Sequence, residues 1–266
     1  MRQAVPVTDR DAAIPFDRAV DYYDRTRALA PATEAAMVEV LTRELGDRGP
    51  ALEIGVGTGR ISLPLRDAGV ETVGVDISLP MVERLLSKAG GAFAVALGDA
   101  TSLPFRDRSF GGAIAVHVLH LIPRWEDAAR ELVRVVRRGG VVLVSQGSWD
   151  IVAHLDVIDA FAAASELERR HPGLNEEEEL DELMRSLGAM PRHVARLVDT
   201  KPGTLRQMVD SLAEGLYSFT WSLDETTRRR AAAEAALIAE ETYGDLDEVR
   251  DITTQMSWRG YDLPRA

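Results

Sequence analysis

The 266-residue chain has no cysteine, which excludes disulfides, thiolate nucleophiles and cysteine-ligated zinc. It also lacks any uninterrupted apolar run near the ~20 residues of a membrane-spanning helix. The N-terminal stretch MRQAVPVTDRDAAIPFDRAVDYYDR carries charges throughout and has no apolar h-region. A soluble cytoplasmic protein with no membrane partner and no bound metal is therefore expected. Basic charge is in deficit, with 31 Lys and Arg against 43 Asp and Glu, a net charge of −12. Such a surface repels phosphate backbones, and the clusters Arg137-Arg138 and Arg228-Arg229-Arg230 are too short to make a binding stripe. They read as solvated helix ends or faces, and no nucleic-acid partner is expected. Internal repeats and low-complexity linkers are absent as well, which points to a single domain.

What is present between about residues 50 and 147 is an alternation. ALEIG, ETVGVD, AFAVALGD, GGAIAVHVL and GGVVLVSQG read as strands, with amphipathic stretches between them. Alternating βα units predict a parallel sheet with right-handed crossovers, and continuous apolar strands predict inner positions covered by helices on both faces. Gly69, Gly90-Gly91 and Gly139-Gly140 fall where helix C-caps are wanted. TEAAMVEVLTREL reads as a leading helix packed on the sheet. After 150 the chain reads as helices, interrupted by strand-like RHVARLVDT and closed by the strand DITTQMSWRGYDL.

In an open α/β sheet, ligands bind beyond the carboxyl ends of the strands. LEIGVGTGR places Glu53 and then Gly55, Gly57 and Gly59 after the first strand. Bare backbone there lets a ligand approach closely, although the glycines could equally serve a tight turn. Asp76 ends the second strand, placed to accept from a ribose diol or to cap a helix. Asp99 ends the third, placed to accept from an adenine amine or to shape a turn. Three such sites at successive carboxyl ends suit one extended adenosine-containing ligand. The third glycine comes one residue too early for the dinucleotide fingerprint, and no P-loop Lys-Ser/Thr pair follows. A carboxylate at Glu53 repels a pyrophosphate but attracts a ligand bearing an amine and a sulfonium, which favours S-adenosylmethionine over NAD.

LEIGVGTGR, VGVDIS and GDATSLPFRDRSFGGAIAVHVLHLIPRWEDAARELVRVVRRGGVVLV together resemble the class I S-adenosylmethionine-dependent methyltransferases, in particular the ubiquinone and menaquinone methyltransferase branch. The resemblance covers about residues 45–147. It implies a Rossmann-like, doubly wound, mostly parallel seven-stranded α/β sheet with helical insertions forming a cap, and S-adenosylmethionine as cofactor. On that likeness Glu53 contacts the methionine amine, and Gly55, Val56, Gly57 and Gly59 line the methionine and sulfonium. Asp76 holds the ribose hydroxyls, Ile77 meets the adenine, Asp99 and Ala100 lie at the adenine edge, and Val116 lies near the transferred methyl. Gly111 departs from the family, which commonly has an aspartate there.

The expected function is methyl transfer, in the EC 2.1.1 class, to a small-molecule acceptor by a monomer or homodimer. A cofactor-binding protein without catalysis is the alternative. A protein or nucleic-acid methyltransferase is disfavoured by the charge and by VHVL where an N/D-P-P-Y/F tetrad would stand. Methyl transfer is an in-line displacement, so a general base is needed only if the acceptor has a proton to lose. His117 is preferred over His120 for that role, with a structural histidine as the alternative. The single domain is expected to have a core at about 35–148, 190–200 and 251–263, a cap at about 149–189 and 201–245, and an N-terminal segment 1–34 closing over the cofactor. Tyr22 and Tyr23 in that segment, with Trp149, Tyr217, Phe219 and Trp221 in the insertions, are candidate walls of the acceptor site, core packing being the alternative for each.

Overall fold

A computed structural model describes residues 16–145, 150–151, 154–168 and 170–265. The chain enters through a short turn at Asp17–Ala19, helix α1 (Tyr23–Arg27) and helix α2 (Pro31–Leu45). α2 starts with proline, whose missing N–H costs nothing in a first turn. It buries Met37, Leu41 and Leu45, spaced four apart on one face.

The strands β1 (Ala51–Ile54), β2 (Thr72–Asp76), β3 (Ala94–Leu97), β4 (Phe110–Val116) and β5 (Val136–Ser145) alternate with α3 (Ser62–Asp67), α4 (Leu79–Lys88) and α5 (Trp125–Val135). They pair in parallel in the order β3-β2-β1-β4-β5. Strand order reverses between β1 and β4, and a ligand crevice belongs at that reversal. β1 and β4 are buried along their whole length. β3 is an edge strand with Leu97 55% exposed, so the expectation that all these strands are inner fails at this one.

Two further strands complete the seven, β7 (Met190–Gly203) and β8 (Arg250–Asp262), and a two-residue β6 (Asp150–Ile151) also pairs with β8. β8 lies between β5 and β7 and runs antiparallel to both. Only Arg259 to Asp262 of β8 face β5, whereas its pairing with β7 runs from Met190↔Asp262 to Gly203↔Arg250. The outer half of the β7–β8 ribbon therefore stands beyond the carboxyl ends of the parallel strands. From it spring α8 (Leu205–Glu214) and α9 (Glu225–Tyr243), packed with α6 (Leu155–Ala164). These helices share their own core, which includes Phe161, Leu212 and Ala235. α8 opens with a reciprocal capping box between Thr204 and Gln207.

Helix α7 (Glu177–Ser186) corrects the expected cap boundary at 189. Leu180 and Met184 join the main core with α5 and β5, because the buried Asp181 draws α7 onto the sheet. Asp181 receives two donors from Arg259 and the Tyr261 hydroxyl at 3.0 Å. A second correction concerns Gly139-Gly140, which cap no helix. α5 ends at Val135, and the pair lies inside β5 at an irregularity where the register jumps from Phe110↔Val136 to Gly112↔Val141. Pro64 falls in the first turn of α3 and is accommodated there.

Candidate active site

A cleft opens over the carboxyl ends of β1, β2, β3 and β4, where an open α/β sheet holds its ligand. Of the residues singled out in the sequence, Gly55, Gly57, Asp76, Ile77, Asp99, Ala100, Val116, His117 and Tyr23 line it.

Asp76 ends β2 and works in two directions. One carboxylate oxygen accepts from the Gly57 N–H at 2.7 Å and the other from the Ser78 N–H at 2.8 Å. It thus braces the glycine turn, while the cap of α4 is Ser78, whose hydroxyl accepts from Met81 N. Each carboxylate oxygen keeps a lone pair for a ligand hydroxyl. Burial raises the Asp76 pKa, against the pull of its backbone donors. Gly57 has φ +54, and a Cβ built on it would meet nothing closer than 3.9 Å, so its side-chain space is open to the cleft. At Gly55, with φ +62, a Cβ would strike Val118 at 2.5 Å. Asp99 takes Thr101 N and Oγ1 on a single oxygen, both at 2.8 Å, leaving Oδ2 for a donor. Ile77 presents an apolar side chain that is 46% exposed, ready for a flat ring. An adenosine with a bulky methionine tail fits this set: apolar ring contact, two carboxylate acceptors, and a turn with no side chain in the way.

Glu53, Val56 and Gly59 do not line the cleft. Strand alternation turns Glu53 to the α3 face, where it is 2% exposed and accepts from the Ser62 hydroxyl. Val56 packs where a Cβ on Gly74 would sit, and a Cβ on Gly59 would strike Leu63 at 2.8 Å, so both close the turn against its neighbours. Burial pushes Glu53 up to about 8, partly offset by Ser62 and Arg60. A group whose folded pKa lies above its unfolded value favours the fold below the unfolded pKa, and that contribution is lost as pH rises through the folded one. The protein without cofactor should therefore lose thermal stability between about pH 5 and 8. Glu53→Gln, which keeps an acceptor for Ser62 but cannot ionise, should flatten that slope; equal slopes in the two proteins would show that Glu53 is charged throughout.

His117 follows Val116 at the end of β4 and lies on the cleft wall. Its φ of +48 is a left-handed backbone on a non-glycine residue, held by its N–H donating to Ser145 O at 3.0 Å. Such strained positions cluster at functional sites. His120 stands one turn further on, edge-on to His171 with ring centroids 4.6 Å apart. Burial, then the neighbouring His171 and Arg27, push it down to about 3, which keeps it neutral at physiological pH.

The N-terminal segment crosses the cleft as a strap. Asp17 accepts from Ser78 Oγ at 2.6 Å, and Asp24 accepts from Thr58 Oγ1 at 2.5 Å and Lys88 Nζ at 2.9 Å. Phe16, absent from the sequence-based candidates, lines the cleft and packs on Trp221 with centroids 4.6 Å apart. Trp221 and Tyr217 thus meet the strap and lie outside the cleft lining, with Arg18 over the Trp221 ring and Arg27 over the Tyr217 ring. Phe219 stacks on Tyr217 and packs against the cap core. Tyr22 is half-buried and outside the lining; Trp149 and residues 1–15 lie outside the described residues. Also missed from sequence were Met81, Gly98, Val118, Leu121 and Ile122, apolar or bare residues beside the polar motifs, for which the strand-end rule alone was the available signal.

Residues 52–144 match the family described as "Methyltransferase domain". The chain is 35% identical over 138 residues to a malonyl-[acyl-carrier protein] O-methyltransferase of Pseudescherichia vulneris, covering 51% of this chain and 53% of that protein. It is 30% identical over 150 residues to a demethylmenaquinone methyltransferase of Streptomyces avermitilis, covering 55% of this chain and 64% of the relative. The chain thus spans less than two thirds of either relative's length. The fold is shared with a solved structure from Thermotoga maritima described as a SAM-dependent methyltransferase, possible histamine N-methyltransferase, at TM-score 0.55 and 22% identity over 93% of this chain and 98% of that one. Among the described residues no helix is long and apolar enough to cross a membrane.

Proposed function

We propose that the chain, whose residues 52–144 match the family described as "Methyltransferase domain", transfers a methyl group from S-adenosylmethionine to a small-molecule acceptor. The observation that carries the reading is the convergence of Gly57, Asp76, Ile77 and Asp99 on one cleft at the strand-order reversal. When bound, S-adenosylmethionine supplies an electrophilic methyl on a sulfonium, open to in-line attack. Asp76 then holds the ribose hydroxyls and the turn at once, Asp99 and Ile77 set the adenine, and Gly55 and Gly57 admit the methionine tail. Val116 and His117 would lie beside the methyl, and their position on the cleft wall supports an acceptor entering between β4 and the strap. Phe16 and Tyr23 exclude water over the reacting centre, the condition under which alignment does most for a displacement. A small acceptor is supported by the strap residues Phe16 and Tyr23, which cover the cleft, and by the likeness to a demethylmenaquinone methyltransferase.

The test is binding followed by turnover. S-adenosylhomocysteine should bind with a Kd of about 1 to 10 μM, some −7 to −8 kcal/mol, and NAD should not compete. Labelled S-adenosylmethionine with a panel of phenols, carboxylic acids and amines should then give a methylated product. His117→Ala should cut that turnover about 100-fold at unchanged S-adenosylhomocysteine affinity if the acceptor loses a proton to the imidazole. Tighter binding of NAD would sink the assignment, and cofactor binding with no transfer to any acceptor would leave a binding protein.

A further inference from the structure

Charge is distributed unevenly along the strap. Two of its acids, Asp17 and Asp24, are engaged toward the β2 side, Asp17 with Ser78 and Asp24 with Thr58 and Lys88. At the other end Arg27, half-buried, has no carboxylate partner among the described residues, in a chain with twelve more acids than bases. Its guanidinium carbon lies 5.8 Å from the centre of the Tyr217 ring and close enough to His120 to perturb it. Tyr23 and Arg27 are four residues apart on α1 and so share a face, the first lining the cleft and the second one turn beyond. The turn that carries His120 also supplies Leu121 and Ile122 to the cleft wall. Because the order is β3-β2-β1-β4, this is the end of the cleft farthest from Asp99.

We propose that Arg27, over the Tyr217 ring and beside His120 at the β4 end of the cleft, is the anchor for a carboxylate on the methyl acceptor. This deepens the methyltransferase reading and rests on it for the identity of the ligand as an acceptor. Guanidinium groups match carboxylates in a two-point fork, and one that rests on a ring face with no carboxylate beside it keeps that fork free for a ligand anion. His120, held neutral by its surroundings, adds no second positive charge, and burial raises the Tyr217 phenol above its ordinary range. One cation balances one negative charge, which favours a carboxylate over a phosphate dianion. Phe16 and Tyr23 on the cleft wall add the expectation of an apolar body on the same molecule.

Matched probes test this: cinnamic acid against cinnamamide, indole-3-acetic acid against its amide, and octanoic acid against octanamide. Calorimetry is run on the full chain with and without S-adenosylhomocysteine, for wild type, Arg27→Gln and Arg27→Lys. At least one acid should bind wild type about 10-fold or more tighter than its amide, and Arg27→Gln should remove that preference. Arg27→Lys should restore part of it, and S-adenosylhomocysteine affinity should be the same in all three, which also reports that the variants fold. Acids and amides binding alike, no acid binding, or Arg27→Gln holding the acid as wild type does would each overturn the proposal. S-adenosylhomocysteine failing to bind wild type would instead overturn the methyltransferase reading, while the cofactor-free arm still reports on Arg27.

Discussion

Asp76→Ala should weaken S-adenosylhomocysteine binding by about 2 to 3 kcal/mol, roughly 30- to 150-fold. Two losses combine in that figure. The ribose hydroxyls lose a charged acceptor, and the Gly57 N–H, held at 2.7 Å, loses the brace that keeps the turn in its left-handed shape. The unliganded fold should suffer less, because the carboxylate is desolvated and faces Asp17, both of which already count against its charge. Isothermal calorimetry beside a thermal melt separates the two effects. Unchanged affinity in a folded variant would reduce Asp76 to a loop brace. Asp76→Asn adds a control: one acceptor oxygen remains, but its amide nitrogen cannot accept from a backbone N–H, so affinity should fall between wild type and alanine.

Gly111→Ala should be the more damaging change, and it acts on the fold. A Cβ on Gly111 would lie 1.6 Å from the carbonyl oxygen of Arg48, a backbone atom with no rotamer to escape through. Arg48 is itself fixed by hydrogen bonds from Nε to Glu44 O and from its guanidinium to Gly139 O. The cost should be about 3 kcal/mol or more, or roughly 6 to 12 °C in Tm for a chain of this size. A melting temperature within 2 °C or so of wild type, measured by calorimetry, would mean the 48–50 segment can move aside. The same contact explains why this chain carries glycine where the family commonly has an aspartate: the loop after α2 passes over the start of β4, and any side chain there would displace it.

Apolar runs bounded by glycines made the five parallel strands and their crossovers legible, because burial on both faces writes itself into composition. Much of the polar lining of the cleft was legible for a similar reason: strand ends are visible in sequence, and the strand-end rule says what to look for there. Glu53 shows where that logic stops. It occupies the right position in the motif, yet side-chain alternation sends it behind the turn, and alternation within a four-residue, fully buried strand leaves no polar mark to read. The expected cap at 149–189 takes in α7 because the chain after 150 reads mostly as helices. What puts it on the sheet is a long-range pair, Asp181 with Arg259, and nothing local in either segment announces a partner 78 residues away. Phe16 and Arg27 carry no mark in the sequence for the same cause: both owe their place to contacts with the cap, at Trp221 and Tyr217, which no periodicity encodes.

The insertion of β8 between β5 and β7 has a consequence for synthesis. As the chain leaves the ribosome, β5 is finished long before its neighbour exists, since α6 to α9 and β7 must all be made first. Through that interval β5 presents an open, strongly apolar edge, the kind of surface that recruits stray strands. The nascent chain cannot close its sheet by waiting for local contacts. It closes only when Arg259 reaches Asp181 and Tyr261 enters the core beside Val142, so one late segment both seals the edge and locks α7 in place.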